Sequence, residues 1–329
     1  MEAKVLGLGN ALVDILVRIP NDSILEEFGL PRGSMQLVEQ ERSQEIYNAI
    51  KQYNPQIVAG GSASNTINGL ANLGVATGMI GKIGRNEIGS LYKKDIINAG
   101  IDPVLFESDT QSGNCISLIS TDSERTMATC LGAAIELTAD EINEDMFKGY
   151  THFYVEGYLV QNKELIEKAL SIAHDKGLTT CIDLASYNVV EENLEFLKKI
   201  ISRYVDIVFA NEEEATAFSG KEEKDALDEI GEFAETVIVK LGCRGSLIKV
   251  GTKTYHVGII ESKAIDTTGA GDLYASGFLY GLINGFTPEK CAEIGAIVSG
   301  NVIEVIGPKM DISRWNSIRQ NIKKLAQQK

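Results

Sequence analysis

The stretch Asp266-Thr267-Thr268-Gly269-Ala270-Gly271-Asp272 decides how this chain is read. A strand-like segment at residues 255–260 precedes it and an apolar helical run at 273–284 follows it. Two glycines flanking an alanine allow a tight turn that leaves backbone N–H groups free where the helix starts. Such a terminus combines free donors with a partial positive charge, so it suits an anion. Asp272 places a carboxylate beside that site, the arrangement needed to take a proton from a hydroxyl attacking a phosphoryl group. The plain alternative is a Gly-rich turn with Asp272 as a helix cap, and the heptapeptide alone leaves both open.

Working outward, the whole chain has 329 residues, 44% hydrophobic and 23% charged. That length suits about two domains, or one large α/β body with an insertion. No apolar run approaches the length of a membrane span, and the N-terminus, Met1-Glu2-Ala3-Lys4-Val5, enters a strand pattern without a signal-peptide layout. Five scattered cysteines, odd in number and without a Cys-x-x-Cys pair, predict buried reduced thiols in a cytoplasmic protein. Three histidines far apart in sequence argue against a metal centre built on them. A net charge of −15 with no basic patch argues against nucleic acid as a partner, and a polyphosphate would have to be held by local donors and a bridging cation.

Short apolar strands are predicted at 5–8, 57–59, 76–80, 152–155, 180–182, 207–209 and 237–239. Amphipathic helices are predicted between many of them, at 64–73, 87–99, 163–174, 194–202 and 225–234. This alternation predicts a mostly parallel sheet covered on both faces. Residues 11–19, 33–38, 114–120 and 125–131 instead alternate apolar and polar positions, the last two joined by the turn-forming Thr121-Asp122-Ser123-Glu124. They predict antiparallel strands with one solvated face, forming a small sheet that lies as a lid over the site. The division expected is a body of residues 1–10, 40–108 and 136–329, with a lid of 11–39 and 109–135. The charged run 221–229 reads as a solvated helix face.

Several further motifs carry chemistry. Gly7-Leu8-Gly9 begins like a dinucleotide fingerprint but lacks its third small residue and a following helix. Asp14 is a lone acid in an apolar strand, either solvent-facing or aimed at a ligand. Gly60-Gly61-Ser62-Ala63-Ser64-Asn65 follows a strand and opens a helix; Asn65 suits sugar hydroxyls, while Ser62 or Ser64 could simply cap. Asn211-Glu212-Glu213-Glu214 follows a strand and either complements a helix dipole or organises hydrated Mg²⁺. Lys240-Leu241-Gly242-Cys243-Arg244-Gly245 is a turn between two strands, either a bare hairpin or a place where glycines admit a nucleotide against the backbone. Arg125 on the lid edge is either an ordinary surface residue or a source of charge for a phosphoryl group. Neither a Walker loop nor a Gly-x-Ser-x-Gly elbow occurs.

Together, and in this order along essentially the whole chain, these motifs resemble the PfkB, or ribokinase-like, family of sugar and nucleoside kinases. The resemblance implies an α/β ribokinase-like three-layer sandwich with a small inserted β-sheet lid, and ATP and Mg²⁺ as cofactors. It implies Asp272 as base, Gly269, Ala270 and Gly271 as anion hole, and Arg125 at the phosphate. Asn10, Leu12, Asp14, Gly60, Gly61, Asn65 and Met127 would contact the acceptor. Asn211, Glu214, Lys240, Gly242, Gly245 and Thr267 would serve the nucleotide, with Mg²⁺ organised through water by Asn211 and Glu214. A K⁺ site could draw on Asp266 and Thr268. Residues 9–15, 124–127 and 209–216 look closest to adenosine kinase-like members, in which Leu12 and Met127 would pack on a base. The base-stacking position falls at Tyr158 or Leu159, a departure that keeps a plain sugar kinase open as the rival acceptor class. A catalytically silent nucleoside or sugar sensor is the rival of another kind. The partners expected are a small molecule and either no other copy or a lid-mediated homodimer.

Overall fold

The computed structural model describes residues 3–122 and 124–327. The expected turn at 121–124 thus includes Ser123, which lies outside the described residues, as do Met1 and Glu2 at the N-terminus.

A nine-stranded sheet forms the centre, in the order β14-β13-β12-β11-β10-β9-β1-β5-β6. Its strands are β1 (Lys4–Leu8), β5 (Ala76–Gly84), β6 (Ile101–Ser108), β9 (His152–Glu156), β10 (Thr179–Asp183), β11 (Ile207–Asn211), β12 (Thr236–Lys240), β13 (Ser246–Val250) and β14 (Lys253–Val257). Pairing is parallel from β12 through β6; β13 runs the other way, pairing antiparallel with both β12 and β14. Side chains alternate across this sheet with the two-residue period of a pleated strand. Leu6, Leu8, Phe153, Val155 and Val208 face one core; Val5, Tyr154, Cys181 and Phe209 face the other. The first core is closed by α5 (Lys163–Asp175), α6 (Tyr187–Tyr204), α7 (Glu212–Ser219) and α8 (Glu223–Ile230). The second is closed by α3 (Ser62–Asn72), α4 (Glu87–Asn98) and α9 (Ala270–Ile283), with α10 (Pro288–Val302) and α11 (Ile312–Gln327) packed outside α9 around Trp315. The three-layer sandwich and mostly parallel sheet are as expected.

The smaller sheet has five strands in the order β3-β8-β7-β2-β4: β2 (Leu12–Arg18), β3 (Met35–Leu37), β4 (Gln56–Ala59), β7 (Ser112–Ile119) and β8 (Arg125–Gly132). Two expectations need correction. The sheet is mixed, not antiparallel: β2 runs parallel to β7 and β3 to β8. Neither face is simply solvated. Ile15, Val17, Ile116 and Leu118 are buried beneath α1 (Ser23–Glu27) and α2 (Gln40–Ile50), while the alternate residues face a cleft. The polar positions in these strands serve that cleft, so their alternation mimics a water-facing surface. The segment at 57–59, read as a buried strand of the body, pairs instead with β2 in the small sheet, and Ile57 is 37% exposed.

The predicted strand at 255–260 ends at Val257. All five cysteines are free; Cys130, Cys181 and Cys291 are buried, but Cys115 is half-buried and Cys243 exposed, against the expectation of uniform burial. Among the described residues no helix is long and apolar enough to cross a membrane.

Candidate active site

The carboxyl ends of adjacent parallel strands line up at one edge, the usual place for a ligand in an open α/β sheet. Register pairs the last residue of β9, Glu156, with the last of β10, Asp183, and the last of β11, Asn211, with the last of β12, Lys240. The small sheet hangs over this edge, and between them lies a cleft of about 1230 Å³. It is lined by every predicted site residue except Gly60 and Asp266.

Asp272 sits on the first turn of α9, whose N-cap is Gly269 at φ 74, ψ 6. Gly269 is required twice there. The left-handed conformation favours glycine, and a Cβ would lie 2.8 Å from the Pro308 ring. No side chain caps α9, so the cap alternative for Asp272 fails. Its carboxylate instead accepts hydrogen bonds from Ser62 Oγ (2.8 Å) and Asn65 Nδ2 (3.0 Å). Neither serine caps α3: Ser62 is turned to Asp272, and Ser64 Oγ is buried without a partner. Burial, reinforced by nearby Asp183, raises the Asp272 carboxyl to about 6, against the pull of its two hydrogen bonds. At the turn, the Ala270 N–H donates to the Thr267 carbonyl (3.1 Å), and Leu273 N–H to the Gly269 carbonyl (2.8 Å). The Gly271 and Asp272 amides, at the start of the helix, are left as free donors.

Asp266, 2% exposed, shapes this loop. Its Oδ1 accepts from Thr268 N and Oγ1 (2.9 and 2.7 Å), and its Oδ2 accepts from Gly307 N (2.7 Å). Of the two residues named for a K⁺ site, Asp266 thus has both carboxylate oxygens engaged by donors of the loop and of Gly307.

On the acceptor side, Gly61 has φ 89, and a Cβ there would meet the Asn10 carbonyl oxygen at 2.4 Å. Gly60 leaves room for the Asp14 carboxyl, which would lie 2.2 Å from any Cβ. Asp14 is 7% exposed, so the solvent-facing alternative fails. Burial lifts its carboxyl to about 7, while Lys309 and Arg125 pull it down and Asp272 and Asp266 push it up. Arg125, Met127 and Thr129 of β8 and Leu12 of β2 share the cleft-facing side of the lid with Met35 and Leu37 of β3. Asn65 Oδ1 is buried without a donor. Tyr158 and Leu159 both line the cleft on a 3-10 turn, Gly157–Gln161. The Tyr158 hydroxyl donates to the Ala185 carbonyl (3.2 Å), and Leu159 is packed into the core.

On the nucleotide side, Asn211 and Glu214 form a reciprocal capping box. Asn211 N and Nδ2 donate to the two Glu214 carboxylate oxygens (2.8 and 2.7 Å), and Glu214 N to Asn211 Oδ1 (2.8 Å). The local alternative for this motif is thus realised, yet both residues line the cleft. Burial pushes the Glu214 carboxyl up. Gly242 opens a 3-10 turn, Gly242–Arg244, between β12 and β13, and Gly245 follows it.

Sequence reasoning missed three residues. Glu156 is 1% exposed and accepts Asn10 N (3.0 Å), Asn10 Nδ2 (2.8 Å) and Ala63 N (2.8 Å); burial raises its carboxyl to about 7 against these bonds. Asp183, 4% exposed, accepts from Lys240 Nζ at 2.8 Å. Lys309 acts electrostatically on Asp14 and Asp95. Glu156 and Asp183 each end an apolar strand, where an acid is costly to bury without partners, and that was their signal.

A Mg²⁺ ion fits this edge through its charge. Asp183, Glu214 and Asp272 surround one ammonium, Lys240, leaving buried negative charge for a cation to offset. Among the described residues no three His, Cys, Asp or Glu side chains converge to hold a metal directly. That matches an ion that keeps its waters and shares substrate phosphates.

The family profile described as pfkB family carbohydrate kinase matches residues 34–314. The solved structure of adenosine kinase from Sinorhizobium meliloti superposes with a TM-score of 0.89 at 33% identity, covering 98% of this chain and 100% of that one. Adenosine kinase from Saccharomyces cerevisiae is 27% identical over 94% of this chain and 97% of its own length. A 5-dehydro-2-deoxygluconokinase from Geobacillus thermodenitrificans is 28% identical over 74% of this chain and 78% of its own. With a match over most of its length and a site at the expected sheet edge, the chain belongs to the pfkB family of carbohydrate kinases, phosphotransferases that act on alcohol groups.

Proposed function

We infer that the acceptor is a nucleoside of the adenosine class, phosphorylated at its 5′-hydroxyl with ATP as donor. The observation that carries this reading is the cleft-facing side of the lid. Leu12, Met35, Leu37, Met127 and Leu131 give it an apolar surface too extensive for a bare sugar and suited to a flat base. Asp14 and Asn65 at the other end offer polar atoms for ribose hydroxyls. The Tyr158 ring, fixed by its hydroxyl, is the aromatic platform for the base, and Leu159 belongs to the core behind it.

In this reading the acceptor oxygen's lone pair forms the new bond to the γ-phosphorus as the bond to the β-phosphate oxygen breaks. That electron pair leaves with ADP, and the hydroxyl proton passes to the Asp272 carboxylate. The free amides of Gly271 and Asp272 face the charge of the transferred group, and Arg125 closes over it from the lid. Asn211 and Glu214 would hold Mg²⁺ through water, and the ion would screen the phosphate charge. The transition state is loose, so positioning and charge matter more than base strength. A monovalent cation would act beside Asp266, by stiffening the loop.

ADP release measured across adenosine, other nucleosides, ribose, fructose and 2-keto-3-deoxygluconate, with Mg²⁺ and with or without K⁺, tests the acceptor. Adenosine should give the highest kcat/KM. A clear preference for a free sugar overturns the nucleoside reading and makes the chain a sugar kinase; binding without turnover of any acceptor makes it a sensor.

A further inference from the structure

We propose that Lys240 is a catalytic residue that meets the transferring phosphoryl group, and that Asp183 is the positioning residue that aims it. The inference rests on the family's phosphoryl transfer and is independent of which acceptor is used.

The geometry starts from the sheet. Asp183 ends β10 and Lys240 ends β12, with β11 between them, so both side chains emerge at the carboxyl edge. Lys240 Nζ donates to Asp183 Oδ2 at 2.8 Å, and the two side chains are 15% and 5% exposed. The same Nζ lies 3.0 Å from where a Cβ on Gly271 would be. The ammonium therefore reaches over the glycine of the α9 N-terminus, and any side chain at Gly271 would press on it.

An ammonium has three donors. One goes to Asp183, and among the described residues no other protein acceptor takes the remaining two. Lys240, Gly271 and Asp272 all line the cleft, so the ammonium and the free amides share it. Burial works against the charge on Lys240, but Asp183 and Glu214 outweigh it and hold the group protonated. A buried ion pair is weak evidence for stability, since a well-packed apolar pair does as well. A permanently charged ammonium with spare donors beside an anion site has a use that packing does not supply. As the bond to the β-phosphate breaks, its electron pair leaves with ADP, and a compact ammonium beside the oxygens of the transferring phosphoryl group stabilises the charge they carry in the transition state.

The test compares MgATP and MgADP affinity by calorimetry, alongside turnover. Lys240→Met should weaken MgATP by at least about tenfold while changing MgADP much less, as expected for loss of one charged hydrogen bond. It should lower kcat at least about 10²-fold. Lys240→Arg should regain part of both. Asp183→Asn should lower kcat by at least about tenfold with the acceptor KM unchanged, since a misaimed group costs rate first. Because Lys240→Met strands a buried carboxylate, Lys240→Met/Asp183→Asn provides a folded background with the same defect. Equal weakening of ATP and ADP in the double variant, or near-native kcat, overturns the proposal. So does a failure of arginine to restore anything in a protein of native thermal stability. The binding ratio needs no acceptor, so a wild-type enzyme that ignores adenosine refutes the nucleoside reading and leaves this test standing.

Discussion

Asp272 is where the sequence was most informative and where a single atom changes most. Replacing it with Asn keeps the shape and removes the base, so kcat should drop by at least about 10²-fold. A near-native turnover would remove Asp272 from the chemistry. Its pH dependence has a definite sign. The carboxylate must be ionised to take the proton, and its carboxyl titrates at about 6, so kcat/KM should fall about tenfold per pH unit below that value and level off above it. Ser62 Oγ stabilises the ionised form. Ser62→Ala should therefore move the acid limb to higher pH; a limb that stays put or moves lower would mean that another group titrates. Arg125→Ala should reduce kcat more than acceptor affinity, and a change confined to KM would make Arg125 a ground-state contact. Asp272 and Arg125 were legible because they stand in contiguous motifs. Glu156 and Asp183 were not, because each is one acid at the end of an apolar strand and its partners, Asn10, Ala63 and Lys240, are distant in sequence.

At the scale of elements, the body was legible because each strand is a short apolar run between turn signals. The lid was legible only as alternation. The sequence does not distinguish polar residues facing water from polar residues facing a cleft, and so β2 and β7 were read as half-solvated when α2 covers one face. β4 was misplaced for a related reason: its three apolar residues look like a core strand, but only Ala59 is buried. β6 escaped notice because it is an edge strand that carries Pro103 and is exposed along much of its length. The junction of β4 and α3 is the element boundary on which the site depends. Gly61 turns the chain there with a positive φ, and the next residues, Ser62 and Asn65, reach Asp272. Gly61→Ala would force a Cβ against the Asn10 carbonyl oxygen and strain the backbone by about 1–3 kcal/mol. We expect thermal stability to fall and kcat/KM to drop at least about tenfold, since a misplacement of an ångström is enough for that. An alanine variant with native kinetics would show that the α3 start does not position the base.

For the whole molecule, the cleft concentrates burial of acids, and this has a thermodynamic consequence. Asp14 and Glu156 are each lifted to about 7 and Asp272 to about 6, in every case chiefly by burial. A folded-state pKa above the unfolded one means that the folded chain holds the proton more tightly. The stabilisation is complete below the unfolded values near 4 and is lost as pH rises through 6 to 7. Ion-paired surface acids such as Asp122 and Glu144, whose carboxyls are held low, act in the opposite sense only at more acid pH. Lys309, pulled down to about 8 by burial, adds stability only at pH values above that. Between pH 5.5 and 8, then, the buried site acids outnumber the one half-buried imidazole, His152, which burial holds low and which acts in the opposite sense. They set the slope, aided by general repulsion in a chain of net charge −15. The ligand-free protein should lose at least about 5 °C in Tm across that window. Asp14→Asn should flatten the slope, because it removes one of four buried acids raised in this way, Glu214 being the fourth, whereas a comparable change at an exposed acid such as Glu195 should leave it nearly intact. A Tm that rises from pH 5.5 to 8, or a slope equally sensitive to both substitutions, would place the titrating charge outside the cleft. Mg²⁺ alone would supply the countercharge that the buried acids lack, so the Tm gained on adding Mg²⁺ should grow over the same pH range.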